Sequence, residues 1–141
     1  VSGFLLDTNV ISELIKPRPE PGVVRWVEES DENLLYLSVL TLGEIRKGVA
    51  ALPLSARRMA LEAWLESDLR LRFTKRILAI DEEVAGRWGV LAGQAQKDGR
   101  GLPVIDGLLA ATAIHHNLTL VTRNDCDISF TGVALFNPWQ G

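Results

Sequence analysis

Very short apolar runs alternate along this chain with longer stretches of helical periodicity, and that alternation restricts the fold more than any other feature. Phe4-Leu5-Leu6 stops abruptly at Asp7-Thr8-Asn9, after which Val10, Ile11, Leu14 and Ile15 recur with helical spacing. Pro17, Pro19 and Pro21 end that helix, and Pro21 suits the first turn of a second one through Val23, Val24, Trp26 and Val27. Residues 34–37 form the next apolar run. Thr41 then opens a helix to about Leu52, and Pro53-Leu54-Ser55 breaks it. An amphipathic stretch carrying Met59, Leu61, Trp64, Leu65 and Leu69 leads to a third strand at 77–80, followed by a helix from Asp81 through Ala92. Pro103 stands at the first position of a helix running from Val104 to about His116, and strands at 118–122 and 133–136 complete the chain. Strands alternating with helices predict an α/β fold: a central parallel sheet of about five strands, with helices on both faces.

The 141 residues suit a single domain spanning 1–141, and 47% apolar with 23% charged residues excludes a disordered tail or a low-complexity chain. The single cysteine, Cys126, excludes an intramolecular disulfide. No apolar run approaches 18 residues and no basic leader precedes one, so a cytoplasmic protein without a membrane span is expected.

Net charge is −3, which by itself speaks against a nucleic-acid binder. Its distribution is uneven: residues 1–45 carry −5, residues 46–76 carry +5 and residues 77–141 carry −3. The basic middle reads either as a solvated helix face or as a phosphate-contacting flank. Because it begins two residues after Glu44, Arg46 and Lys47 are its candidate phosphate contacts.

Acids stand where chemistry is usually done in such folds. Asp7 follows the first strand, and ligands of open α/β sheets bind beyond the carboxyl ends of strands. It, or Thr8, also fits a plain helix cap. Glu44 has an alternative role too, since Thr41-x-x-Glu44 matches a capping box. Asp106 sits in a first helical turn, where negative charge suits the helix dipole, yet its helix is otherwise nearly all apolar. A buried carboxylate there needs a partner or a cation. Asp125 and Asp127 follow the fourth strand and read singly as solvated loop acids. Jointly, acids at several element ends would be gathered at one sheet edge, where they repel one another and a divalent cation relieves the conflict. Oxygen-only ligands suit Mg2+ or Mn2+, and the lack of a Cys/His cluster argues against zinc.

Other candidates are weaker. His115-His116 suits a helix C-terminus; Trp26, Trp64 and Trp88 fall at core positions; and Trp139 reads as pinning the tail rather than stacking a base. No nucleophile elbow, Walker loop or dinucleotide fingerprint is present.

Leu5-Leu6-Asp7-Thr8-Asn9-Val10-Ile11-Ser12-Glu13 resembles the opening of PIN-domain ribonucleases, above all VapC toxins of type II toxin–antitoxin pairs, in their FitB-like branch. The segments 42–48 and 106–113 resemble that family's second and third acidic motifs. Thr122-Arg123-Asn124 with Asp127, followed by Phe136-Asn137-Pro138-Trp139, resembles its end. The resemblance implies a Mg2+- or Mn2+-dependent endoribonuclease with Asp7, Glu44, Asp106 and Asp127 as catalytic residues. Asp7, Glu44 and Asp106 would be the metal ligands, with Thr8 supporting a carboxylate. The fourth position falls on Asn124 or Asp127, because some members carry an acid where this chain has Asn124. It further implies a homodimer, a VapB-type antitoxin, and operator DNA bound only through the antitoxin complex. Two readings compete. One is a catalytically silent PIN fold, favoured by Asn124. The other is a receiver-like signalling module, disfavoured because Thr8 and Asn9 follow Asp7 where such modules carry an acid pair. A haloacid-dehalogenase-type phosphatase is disfavoured because Asp7-Thr8-Asn9 lacks a second aspartate.

Overall fold

The computed structural model describes residues 2–141. Its strands are β1 (Phe4–Leu6), β2 (Leu35–Ser38), β3 (Ile77–Leu78), β4 (Thr119–Val121) and β5 (Leu135–Phe136), in one five-stranded sheet of order β3-β2-β1-β4-β5. Every pairing is parallel: Phe4 lies opposite Leu35 on one side and Thr119 on the other, Leu37 opposite Ile77, and Leu120 opposite Leu135. The helices are α1 (Thr8–Leu14), α2 (Pro21–Glu29), α3 (Val39–Ala50), α4 (Ala56–Ala63), α5 (Arg70–Arg72), α6 (Glu82–Lys97), α7 (Val104–His115) and α8 (Asp125–Ile128).

Side chains of a strand alternate between faces, and consecutive apolar residues here serve two cores. Leu6, Leu35, Leu37 and Val121 pack with Val10, Ile11, Val23, Val27, Ile45 and Val49 beneath α1, α2 and α3. Leu5 and Leu120 point the other way, onto Leu109, Ala110 and Ala113 of α7. Strands buried on both faces read as continuous apolar runs, which is why three residues suffice to recognise β1. The alanines let α7 lie close to the sheet. Gly107 does the same towards α6: a Cβ there would come within 2.9 Å of Trp88 Cδ1. Trp26 packs edge-on to Phe4 with ring centroids 5.1 Å apart, and Trp64 is partly buried against the same cluster. Among the described residues, no helix is long and apolar enough to cross a membrane.

Several boundaries differ from the sequence reading. β2 runs into α3 without a loop, and the Ser38 hydroxyl accepts from Leu40 N at 3.0 Å as the cap. Thr41 and Glu44 therefore lie inside the helix and form no capping box, which frees both side chains for the sheet edge. Pro103 is the residue before α7 rather than its first residue. The amphipathic stretch is a continuous helical path from α4 to α5 through a π-helical turn, Trp64–Leu69, that buries Leu65 and Leu69. Leu34 ends a short 3-10 turn, Glu32–Leu34, instead of beginning a strand. Asp125 and Asp127 belong to α8, not to a loop.

Candidate active site

The order of the sheet reverses at β1: the chain first adds β2 and β3 on one side, then β4 and β5 on the other. The crevice at the carboxyl edge of such a switch point is where open α/β sheets bind ligands. Asp7 is the first residue beyond β1, and its N–H donates to the Val121 carbonyl at 2.9 Å, extending the ladder to β4. One of its carboxylate oxygens caps α1, accepting from Thr8 N at 2.6 Å. The other accepts from the Thr122 hydroxyl at 2.8 Å and from Asn9 Nδ2 at 3.3 Å. The cap and the site are thus the same residue, with an oxygen for each task.

Thr122, fully buried at the end of β4, is the hub of this arrangement. While donating to Asp7, its oxygen accepts from Asn124 N at 3.1 Å and from Asn9 Nδ2 at 3.3 Å. Sequence reasoning assigned it no role, because a threonine ending a buried strand gives no signal of its partners. Thr8 performs a similar task towards α3: its hydroxyl donates to Glu44 Oε1, with the Thr41 hydroxyl 3.2 Å away.

Asp7, Thr8, Glu44, Asp106 and Asn124 line one open cavity of about 360 Å³. Burial pushes the Asp7 carboxyl above the usual range, against the lowering hydrogen bonds from Thr122 and Thr8; the charges of Asp106 and Glu44 push it further. Asp106 is raised by burial first, then by Glu44 and Asp127. The carboxylates therefore feel one another across the cavity. Asp127 is exposed on α8 and does not line it, although its charge reaches Asp106; Asn124 does line it. Among the described residues, no three acidic, histidine or cysteine side chains form a ready-made metal cage. The donor set still suits Mg2+ or Mn2+. Such ions keep several waters and take only one or two carboxylates, with substrate phosphates completing the shell. Mutual repulsion of half-buried acids is the conflict such an ion relieves.

The cations of this cavity are Lys16 and Arg123, neither of which sequence reasoning singled out. Glu13, 5% exposed, holds Lys16 Nζ at 2.9 Å. That contact, with the Glu20 N–H, keeps the Glu13 carboxyl below its usual range. Arg46 is instead paired with Glu66, and exposed Lys47 borders a neighbouring cavity of about 330 Å³ beside Glu44 and Ile105. Much of the remaining basic stretch is structural: Arg72 grips the Glu32 carboxylate with two hydrogen bonds, and Arg76 binds the Glu32 and Leu35 carbonyls.

Thr122→Val keeps the shape of the side chain but leaves Asp7, Asn9 and Asn124 each short of a partner. Losing such a supporting contact costs roughly 10–100-fold in metal affinity, and the unpaired buried groups cost about 1–3 kcal/mol of stability. Calorimetric Mn2+ titration with a denaturant melt checks both; unchanged affinity would remove Thr122 from the site.

A family model described as PIN domain matches residues 4–131. The chain is 40% identical to Toxin FitB of Neisseria gonorrhoeae, over 97% of this chain and 99% of FitB. It is 35% identical to VapC ribonuclease Y4jK of Sinorhizobium fredii, over 97% and 98%. Among solved structures, FitAcB from Neisseria gonorrhoeae superposes with a TM-score of 0.92 at 40% identity, covering 98% of this chain and 99% of that one. FitAB bound to an IR36 DNA fragment superposes with a TM-score of 0.91 at 38% identity, covering 96% and 95%.

Proposed function

This chain belongs to the PIN-domain family, and from that premise we propose that it is a Mg2+- or Mn2+-dependent endoribonuclease, the toxin of a type II toxin–antitoxin pair. The observation that carries the reading is the convergence of Asp7, Glu44 and Asp106, from β1, α3 and α7, on one cavity at the switch point. The names of the relatives, a toxin and a ribonuclease, agree with it.

Asp7, Asp106 and Glu44 would hold the ion. When bound, it would acidify water and neutralise charge on the scissile phosphate. Thr122 and Thr8 set the carboxylates of Asp7 and Glu44, so the oxygens are oriented before substrate arrives. Glu44, half-buried and held by Thr8 through one oxygen, would complete the ion's shell or orient the attacking water with the other. Asn124 contributes a neutral group at the cavity, while Asp127 acts on Asp106 through its charge. Lys47, exposed beside Glu44, is available to a phosphate outside the cavity, and Arg46 could join it only by releasing Glu66.

The same reading includes a homodimer and a small VapB-type antitoxin that silences the cavity, with operator DNA bound through the pair. The DNA-bound FitAB structure supports that last element. The test is to co-purify the chain with its neighbouring gene product, strip that partner, add Mg2+ and sequence the RNA ends. New ends at a restricted set of sites are expected. Intact RNA despite measurable Mg2+ binding would overturn the nuclease reading. Intact RNA without Mg2+ binding would leave a silent fold.

A further inference from the structure

Part of the cavity wall has no use for a metal ion. Arg123 opposes one electrostatically, and Trp139 offers it no oxygen, yet both line the cavity that holds the carboxylates. We propose that Trp139, with Arg123 laid over its ring, is the platform on which the nucleotide next to the scissile phosphate stacks, unpaired. The proposal rests on the ribonuclease reading and specifies its substrate as single-stranded at that position.

The guanidinium carbon of Arg123 lies 5.4 Å from the centre of the Trp139 ring. Arg123 is exposed and makes no ion pair among the described residues, whereas the cavity's other cation, Lys16, is held by Glu13. An unpaired guanidinium beside an indole is chemistry that binds a phosphate and a base plane together. The pair is also built in place. Buried Asn137 accepts from Trp139 N at 2.9 Å through its oxygen, while its Nδ2 donates to the Arg123 carbonyl at 3.3 Å and to Asp125 Oδ1 at 3.1 Å. One asparagine thus ties the loop after β4 to the turn after β5, and Asn9 holds Arg123 N from the other side at 3.4 Å. Trp139 is only partly buried: it rests against the core and also borders a second cavity of about 250 Å³ that contains Arg25, Trp26 and Phe136. It therefore pins the tail, as a core tryptophan would, and also lines the site.

The test measures anisotropy of a labelled single-stranded RNA bound to Asp7→Asn protein in Mg2+, so that the RNA stays intact. Adding Trp139→Leu or Arg123→Gln should each weaken binding about tenfold, whereas Trp139→Phe should retain most of it. Arg123→Gln should also flatten the salt dependence by about one phosphate, and Trp139→Leu should not. Because Trp139→Leu also removes core packing, a second arm leaves the platform untouched and scans an abasic nucleotide along the RNA. One position should lose about tenfold on the platform-intact protein and nothing further when Trp139→Leu is present. Binding within about twofold for Trp139→Leu, no sensitive abasic position, or an effect of Trp139→Leu confined to the polypeptide partner would each overturn the platform. Failure of the ribonuclease reading looks different: protein with every residue native would then leave all RNA uncut.

Discussion

Asp7→Asn is expected to lower the single-turnover rate of RNA cleavage by on the order of 10³-fold or more, equivalent to about 4 kcal/mol of lost transition-state stabilisation. The same variant should stay folded in chelator, because loss of the buried charge offsets the hydrogen bonds that Thr122 and Asn9 give to the second carboxylate oxygen. Both expectations come from one geometry. Asp7 sits 6% exposed between β1 and β4, with Asp106 and Glu44 close enough to raise its pKa, so its ionised form is a burden on the metal-free fold. Asparagine removes that charge while keeping an oxygen to cap Thr8 N, which preserves the start of α1. It takes away the anionic oxygen to which Thr122 donates. Cleavage by the variant at the parental rate, with Mg2+ saturating, would remove Asp7 from the machinery. A large drop in melting temperature would instead mark it as a structural cap whose loss of activity says nothing about chemistry.

How much of this was legible beforehand depends on whether a signal is local. Phe4-Leu5-Leu6 followed by Asp7 announces a doubly buried strand and an acid at its carboxyl end, and the structure puts both there. Asp106 in an otherwise apolar helix was legible for the same reason: a lone carboxylate contradicts its surroundings. Glu44 was ambiguous because Thr41-x-x-Glu44 satisfies a local rule that Ser38, three residues earlier, had already satisfied. α8 has four residues, too few for any periodicity to show. The cations are hard to read in sequence for a different reason. A +5 stretch is a property of chain order, and folding pairs Arg46, Arg58 and Arg72 with Glu66, Glu62 and Glu32. Lys16 and Arg123 reach the carboxylates from segments that are acidic in sum. Thr122 and Asn137 stand in the sequence only as motif members without a role, because their importance lies in partners up to 115 residues away in the chain.

Removing the metal is expected to abolish cleavage and also to change the sign of a pH effect on stability. Without a divalent ion, the raised Asp7 and Asp106 carboxyls favour the fold in their neutral forms. Their contribution is therefore fully present below the unfolded value of 3.8 and lost as pH rises through their higher folded values. Glu13 and Glu32 oppose this: their lowered carboxyls contribute stability above the unfolded value of 4.5 that disappears as pH falls through their folded values. The raw melting curve mixes both, so the informative quantity is the difference between wild type and Asp7→Asn. In chelator that difference should turn against the wild type as pH rises from about 4 to about 8. With Mg2+ it should turn in favour of the wild type, because the ion binds only the ionised carboxylates. At 100 times its dissociation constant the ion adds about 2.7 kcal/mol near neutral pH and almost nothing near pH 4. Scanning calorimetry at both pH values, with and without Mg2+, gives the four differences. A Mg2+ effect equal at both pH values, or equal in Asp7→Asn, would place the ion away from these carboxylates, and the repulsion between them would then need another explanation than a divalent cation.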